Sequence, residues 1–175
     1  MDLRKYVRDI PNFPKPGVLF RDITPLLQSP DAFSFAISEM ARLWKGEIDA
    51  IAALDARGFI FGSALAHELS LPFIPIRKKG KLPFSRHSVT YDLEYGTDTI
   101  EVHMDAFEKD ARVLIVDDLL ATGGTARAAE ELVELAGAQV AGCMFVIELV
   151  HLGGSAKLKS KNITPQTSTV AGDAI

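Results

Sequence analysis

The chain has 175 residues, 47% of them hydrophobic and 24% charged, and a formal net charge of −4, the profile of one globular domain able to bury a real core. An acidic balance gives no general attraction for nucleic acid, although a local basic patch is compatible with it, and a single cysteine excludes an intramolecular disulfide. No apolar run approaches the roughly 18 residues that span a membrane, and residues 1–9 carry charges throughout and lack the apolar stretch of a signal peptide, so the chain reads as soluble and cytoplasmic.

Leu3, Tyr6, Val7 and Ile10 form a short helical pattern that stops at Pro11. Residues 10–25 then contain four prolines, which argue against regular structure and for a stiff, extended arm. Next, Phe33, Phe35, Ile37, Met40, Ala41 and Trp44 recur at mostly helical spacing after the start signal Ser29, Pro30, Asp31, and the aromatics read as core. Residues 48–54 give the first central strand. It ends at Asp55, Ala56, Arg57 and Gly58, and 59–69 reads as the next helix. Arg57 beside Gly58 can set a guanidinium and free amides against a diphosphate; an Arg near an Asp is as readily a surface ion pair.

Residues 71–76 form a short strand whose two prolines demote it to an edge or bulged position. Four cations follow within five residues, Arg77, Lys78, Lys79 and Lys81. Such a run is ordinarily a solvated face, but it also suits the steering of a polyanion. Residues 82–95 read as loop and 99–103 alternate as a strand, together a long hairpin of the kind used as a lid.

The most informative stretch is 112–126. Val113, Leu114, Ile115 and Val116 are an unalternating apolar run, the mark of a parallel strand buried on both faces. The strand stops at Asp117 and Asp118, a turn of small residues follows, and a helix starts at Thr125. Gly123 and Gly124 allow positive φ and close approach, Thr122 and Thr125 add hydroxyls, and the helix N-terminus adds partial positive charge. That is a phosphate cradle. Two carboxylates beside it would repel a phosphate, so they suit sugar hydroxyls or a cation instead, if they do more than shape the turn. A ligand with both phosphate and ribose satisfies both halves.

Residues 140–150 are a further core strand, in which Cys143 reads as buried rather than nucleophilic. His67, His87, His103 and His151 are scattered without zinc-ligand spacing, and neither GxGxxG nor the Walker pattern occurs. The tail, 159–175, is polar and Ser/Thr-rich; it shows no clear final strand and reads as partly disordered. Alternating strand and helix units from Ile48 onward imply an α/β domain with a parallel sheet.

Residues 113–125 resemble the phosphoribosyl-diphosphate signature of type I phosphoribosyltransferases, and their Leu-Leu-Ala-Thr-Gly-Gly-Thr form is similar to that of the adenine phosphoribosyltransferases. Three other stretches carry the same resemblance: the hood pattern Pro-Gly-Val-x-Phe-Arg-Asp-Ile at 16–23, the diphosphate-loop pattern Asp-x-Arg-Gly-Phe at 55–59, and the lid pattern Tyr-x-Leu-Glu-Tyr-Gly at 91–96. The resemblance covers about residues 3–158. It implies a type I phosphoribosyltransferase fold, a central mostly parallel sheet flanked by helices, with an N-terminal hood arm (1–30) and a flexible lid hairpin (77–103) in one domain. Implied too is a pentosyltransferase of purine salvage that converts adenine and 5-phospho-α-D-ribose 1-diphosphate to AMP and diphosphate. Magnesium would be held mainly by the substrate, and the assembly would be a homodimer without nucleic-acid or membrane partners.

The same resemblance assigns Ala121, Thr122, Gly123, Gly124 and Thr125 to the 5-phosphate, and Asp117 and Asp118 to the ribose. Arg57, Gly58, Arg77, Lys78 and Lys81 fall to the diphosphate. Backbone at Leu19 and Arg21 would read the adenine edge while Phe20 packs on its ring. Tyr91 and Tyr95 belong to the lid, and Glu94 is the candidate acid or base. Two departures stand out: residues 84–89 differ from the expected lid sequence, and the Arg usual after the Leu-x-Gly of 152–154 is missing. The rival readings are a transferase for another purine, a non-catalytic regulator sensing the same donor, and a phospho-acceptor receiver domain. A regulator needs a DNA-binding module, and a receiver a further acceptor Asp and a downstream Lys; no convincing candidates occur.

Overall fold

The computed structural model describes residues 1–93, 96–160 and 163–169. Its frame is a seven-stranded sheet in the order β5-β6-β4-β3-β7-β8-β9, where β3 is Ala50–Leu54, β4 Phe73–Lys78, β5 Arg86–Asp92, β6 Thr97–His103, β7 Arg112–Leu120, β8 Gln139–Leu149 and β9 Ile163–Thr169. The run from β4 through β3, β7 and β8 to β9 is parallel. The hairpin β5-β6 is antiparallel and joins this sheet through Arg77 and Lys78 of β4.

Period-two alternation puts neighbouring residues of the central strands on opposite faces. Ala52, Leu54, Val113 and Ile115 share one core with α4 (Gly124–Leu135) and the edge hairpin. Ile51, Ala53, Leu114 and Val116 share the other with α1 (Thr24–Gln28), α2 (Pro30–Trp44) and α3 (Gly58–Leu69). Both faces are covered, which explains why β3 and β7 carry no polar alternation. Helix α2 begins as its sequence indicates, with the Ser29 hydroxyl accepting from the Ala32 N–H at 3.3 Å and Pro30 in the first turn.

Several expectations need correction. The proline-rich arm contains regular structure: β1 (Arg8–Pro11) pairs antiparallel with β2 (Leu19–Asp22). The prolines escape the ladder, because Pro11 ends β1 while Pro14 and Pro16 lie in the connection. The helical pattern near the start is a 3-10 turn, Leu3–Tyr6, that gives way to β1. Strand β4 is internal rather than an edge, yet its prolines keep their logic. The Pro72 and Ile76 carbonyls accept from Ile51 and Asp55 of the β3 side, so Pro75 turns its nitrogen the other way, where β6 has not begun to pair.

Residues 86–92, read as loop, form β5. Strand β7 also runs past the acidic pair to Leu120, because β8 continues beside it, with Asp117 opposite Phe145 and Leu120 opposite Glu148. Finally, the tail supplies β9, paired from Ile163 opposite Cys143 to Thr169 opposite Leu149. Its polar sequence hides a strand whose stabilisation is backbone pairing. No helix among the described residues is long and apolar enough to cross a membrane.

Candidate active site

The loops after β3 and β7 meet at the carboxyl edge of the sheet, the ordinary ligand position in an open parallel sheet. Helix α3 starts at Gly58 directly against β7. A Cβ on Gly58 would stand 2.9 Å from both Asp117 Oδ1 and the Val116 carbonyl, so only glycine permits this approach. Asp117 Oδ1 also accepts the Asp118 N–H at 2.8 Å. Asp118 is 4% exposed, and its Oδ2 lies 2.9 Å from Arg57 Nε. Burial and the neighbouring charge of Asp118 raise the Asp117 carboxyl well above the ordinary carboxylate range. Burial also raises Asp118, with Arg57 pulling in the other direction.

Residues 117 and 119–126 line an open pocket. The two glycines in it have different jobs. Gly123 sits at φ +81°, the left-handed region that favours glycine, while Gly124 is the first residue of α4. The nest is braced from behind by Gly154: a Cβ on Gly123 would collide with the Gly154 carbonyl, and one on Gly154 with the Ala121 carbonyl. Sequence reasoning did not single out this brace. The available signal was a second Gly-Gly pair, 153–154, one short turn after a core strand.

Above the nest lies the edge hairpin, where the Thr125 hydroxyl donates to the Tyr91 phenol at 3.1 Å. On the other side, the Arg57 guanidinium stands over the Phe20 ring, 5.2 Å from its centroid. Phe13 meets Phe20 edge-on at 5.2 Å. Arg21 is buried and ion-paired with Asp9 of β1, so its side chain fastens the hood hairpin. Leu19 pairs with Pro11 in the same ladder.

Asp55 organises part of the basic stretch, with Arg77 Nε at 3.2 Å and Lys81 Nζ at 2.9 Å from its Oδ2. Burial pushes the Asp55 carboxyl up, but hydrogen bonds from Lys81 and Arg77 hold it below its ordinary range. Lys78 turns to Asp98 of β6, at 3.0 Å, and stands apart from this group. Glu94 and Tyr95 lie outside the described residues. Cys143 is buried, and burial raises its thiol, which leaves it without nucleophilic character. Among the described residues, no three His, Cys, Asp or Glu side chains gather as a metal cage.

Comparison with known proteins supplies an independent line. The phosphoribosyl transferase domain family matches residues 23–167. An adenine phosphoribosyltransferase of Rhodopirellula baltica is 55% identical over 164 residues, 93% of this chain and 80% of that protein. The crystal structure of adenine phosphoribosyltransferase from Thermoanaerobacter pseudethanolicus superimposes with a TM-score of 0.92 at 46% identity, covering 95% of this chain and 98% of that one. The Saccharomyces cerevisiae enzyme, crystallised with adenine and an imino-altritol bisphosphate, gives 0.90 at 39% identity over 94% and 96% of the two chains. With an α/β sheet of this topology, a glycine nest braced at 154 and an Arg57–Asp118 pair against the Phe20 ring, the chain belongs to the phosphoribosyl transferase domain family, among the adenine phosphoribosyltransferases.

Proposed function

We propose that this chain transfers the phosphoribosyl group from 5-phospho-α-D-ribose 1-diphosphate to N9 of adenine, releasing diphosphate and AMP. The observation that carries the reading is the position of Arg57, in contact with both the Asp118 carboxylate and the Phe20 ring. One cation thus stands where diphosphate, ribose and base would meet.

The C1–O bond to diphosphate breaks ahead of attack, so positive charge builds on the sugar. Catalysis then requires that both ends be held in line and that the leaving group be neutralised. Ala121, Thr122, Gly123, Gly124 and Thr125 hold the 5-phosphate through backbone N–H groups and hydroxyls. Asp117 and Asp118 accept from the ribose hydroxyls and face the developing cation. Arg57, the Gly58 amide, Arg77 and Lys81 take the diphosphate, with Lys78 further out as a steering charge. For this, Arg57 exchanges partners: the diphosphate draws it from Asp118, which frees that carboxylate for ribose and clears the face of Phe20 for adenine. Backbone groups at Leu19 and Arg21 read the base edge.

Magnesium would be held mainly by the donor's own oxygens, with Asp117 and Asp118 as the carboxylates near it, and the chemistry it would supply is neutralisation of the leaving group. Glu94 is the proton-transfer group for adenine, and Tyr91 and Tyr95 close the lid against water. We assign a cytoplasmic homodimer as the working form. A single light-scattering mass of about 19 kDa at working concentration would contradict the dimer.

Nucleotide formation from the donor and magnesium, followed separately with adenine, guanine, hypoxanthine and xanthine, tests the reaction. AMP from adenine alone is expected. Equal turnover of another purine would replace adenine as the acceptor, and donor binding without product from any base would make the chain a sensor.

A further inference from the structure

Tyr91 stands on β5, and its phenol reaches across to α4, where it accepts the Thr125 hydroxyl at 3.1 Å. Its ring lies against the first residue of that helix. A Cβ built on Gly124 would stand 3.5 Å from Tyr91 Cδ2 and 3.4 Å from the Asp92 carbonyl, ordinary contact distances. The edge hairpin is therefore seated at the mouth of the glycine nest, on a hydroxyl that lines the pocket.

Thr125 has one hydroxyl proton, and that proton goes to Tyr91. Half-burial keeps the phenol protonated, since it raises the group further above neutral pH. The phenol thus retains its own proton to give. A phosphate in the nest competes for the Thr125 proton, because a charged acceptor makes the stronger hydrogen bond. Once Thr125 turns to the phosphate, its oxygen can accept from the phenol. A chain then runs from Tyr91 through Thr125 to the phosphate, and its links polarise one another.

We infer that Tyr91 is a positioning residue that ties the seating of the hairpin to occupancy of the 5-phosphate site, by reversing the direction of its hydrogen bond with Thr125. The inference rests on the reading of residues 121–125 as a phosphate nest. Its ligand class is a ribose carrying a 5-phosphate monoester; the same nucleoside without phosphate does not reverse the bond.

Hydrogen exchange of the 86–92 and 97–103 segments, measured for wild type and Tyr91→Phe with saturating AMP or adenosine, tests this. Phenylalanine preserves the ring contact with Gly124 and removes only the hydroxyl. AMP is expected to slow exchange in the hairpin about fivefold more in wild type than in the variant, the factor one ordinary hydrogen bond gives, and adenosine to have no such effect on either. The KM for the phosphoribosyl donor should rise by a similar factor of about five in the variant, with kcat little changed. Equal protection by AMP in both proteins would overturn the role of Tyr91 and leave the nest standing. Equal affinity of wild type for AMP and adenosine would overturn the nest reading, and this inference with it.

Discussion

Residues 55–58 after β3 and 121–123 after β7 occupy the same place at the ends of neighbouring strands, yet one presents a long cationic side chain and the other bare backbone. The backbone pole is fixed. Gly123 and Gly154 pack so closely that a Cβ on either would collide with the backbone of the other, so the nest is held by main-chain packing. The side-chain pole is, in the proposed function, exchangeable. Arg57 is paired with Asp118 and stands over the Phe20 ring, and under that proposal it would release both to a diphosphate. Rigid backbone suits the end of the substrate that does not react, and a transferable cation suits the end that leaves.

Four substitutions break or sharpen this contrast. Arg57→Ala removes the exchangeable pole and should lower kcat/KM by about 10²–10³-fold, as loss of one preorganised charge typically does; steady-state rates at varied donor concentration would show it. Gly123→Ala attacks the fixed pole through both its φ of +81° and the Gly154 carbonyl. A shift of the nest by about 1 Å should cost about 10²-fold in kcat/KM, and calorimetry with AMP would show whether phosphate affinity falls with it.

Asp117→Asn separates function from stability. The folded protein holds the Asp117 carboxyl above its ordinary range, so it favours the protonated form. The stabilisation that this proton gives is complete below the unfolded value near pH 4 and is lost as pH rises through the folded value. At neutral pH the raised carboxyl therefore costs stability, and Asn removes that cost. The variant should lose about tenfold in turnover and gain about 2–4 °C in Tm at pH 7, with the gain vanishing near pH 4.

The smallest effect on rate is expected at Glu130, a fully buried carboxylate of α4 that accepts the Lys159 and Ser160 N–H groups at 2.9 and 2.8 Å. Glu130→Gln should destabilise the fold by about 1–3 kcal/mol in urea titrations, while kcat/KM stays close to wild type. A large loss of rate instead would mean that the fixed pole depends on the tail as well as on Gly154.

Much of the frame was legible because burial on both faces writes itself as unalternating apolar runs, as in Val113 to Val116, and because a Gly-Gly pair at a strand end has few other uses. Arg57 was legible only as one of two readings, and its contact with Asp118, sixty-one residues on, is a product of the parallel β3-β7 pairing. The hairpin β1-β2 and the strand β9 were not legible. Their stabilisation comes from main-chain pairing and from two clamps of distant charge, Asp9 on Arg21 and Glu130 on residues 159–160, none of which leaves a periodic trace. The extent of β7 escaped for a related reason: β8, not the local sequence, carries it past Asp118.

The partner exchange of Arg57 is tested most directly by titration calorimetry of adenine, with and without magnesium diphosphate, on wild type and Arg57→Ala. Diphosphate should raise the adenine affinity of wild type, by drawing the guanidinium off the Phe20 ring, and should leave the affinity of the variant unchanged. Adenine affinity in wild type that is the same with and without diphosphate would contradict the account.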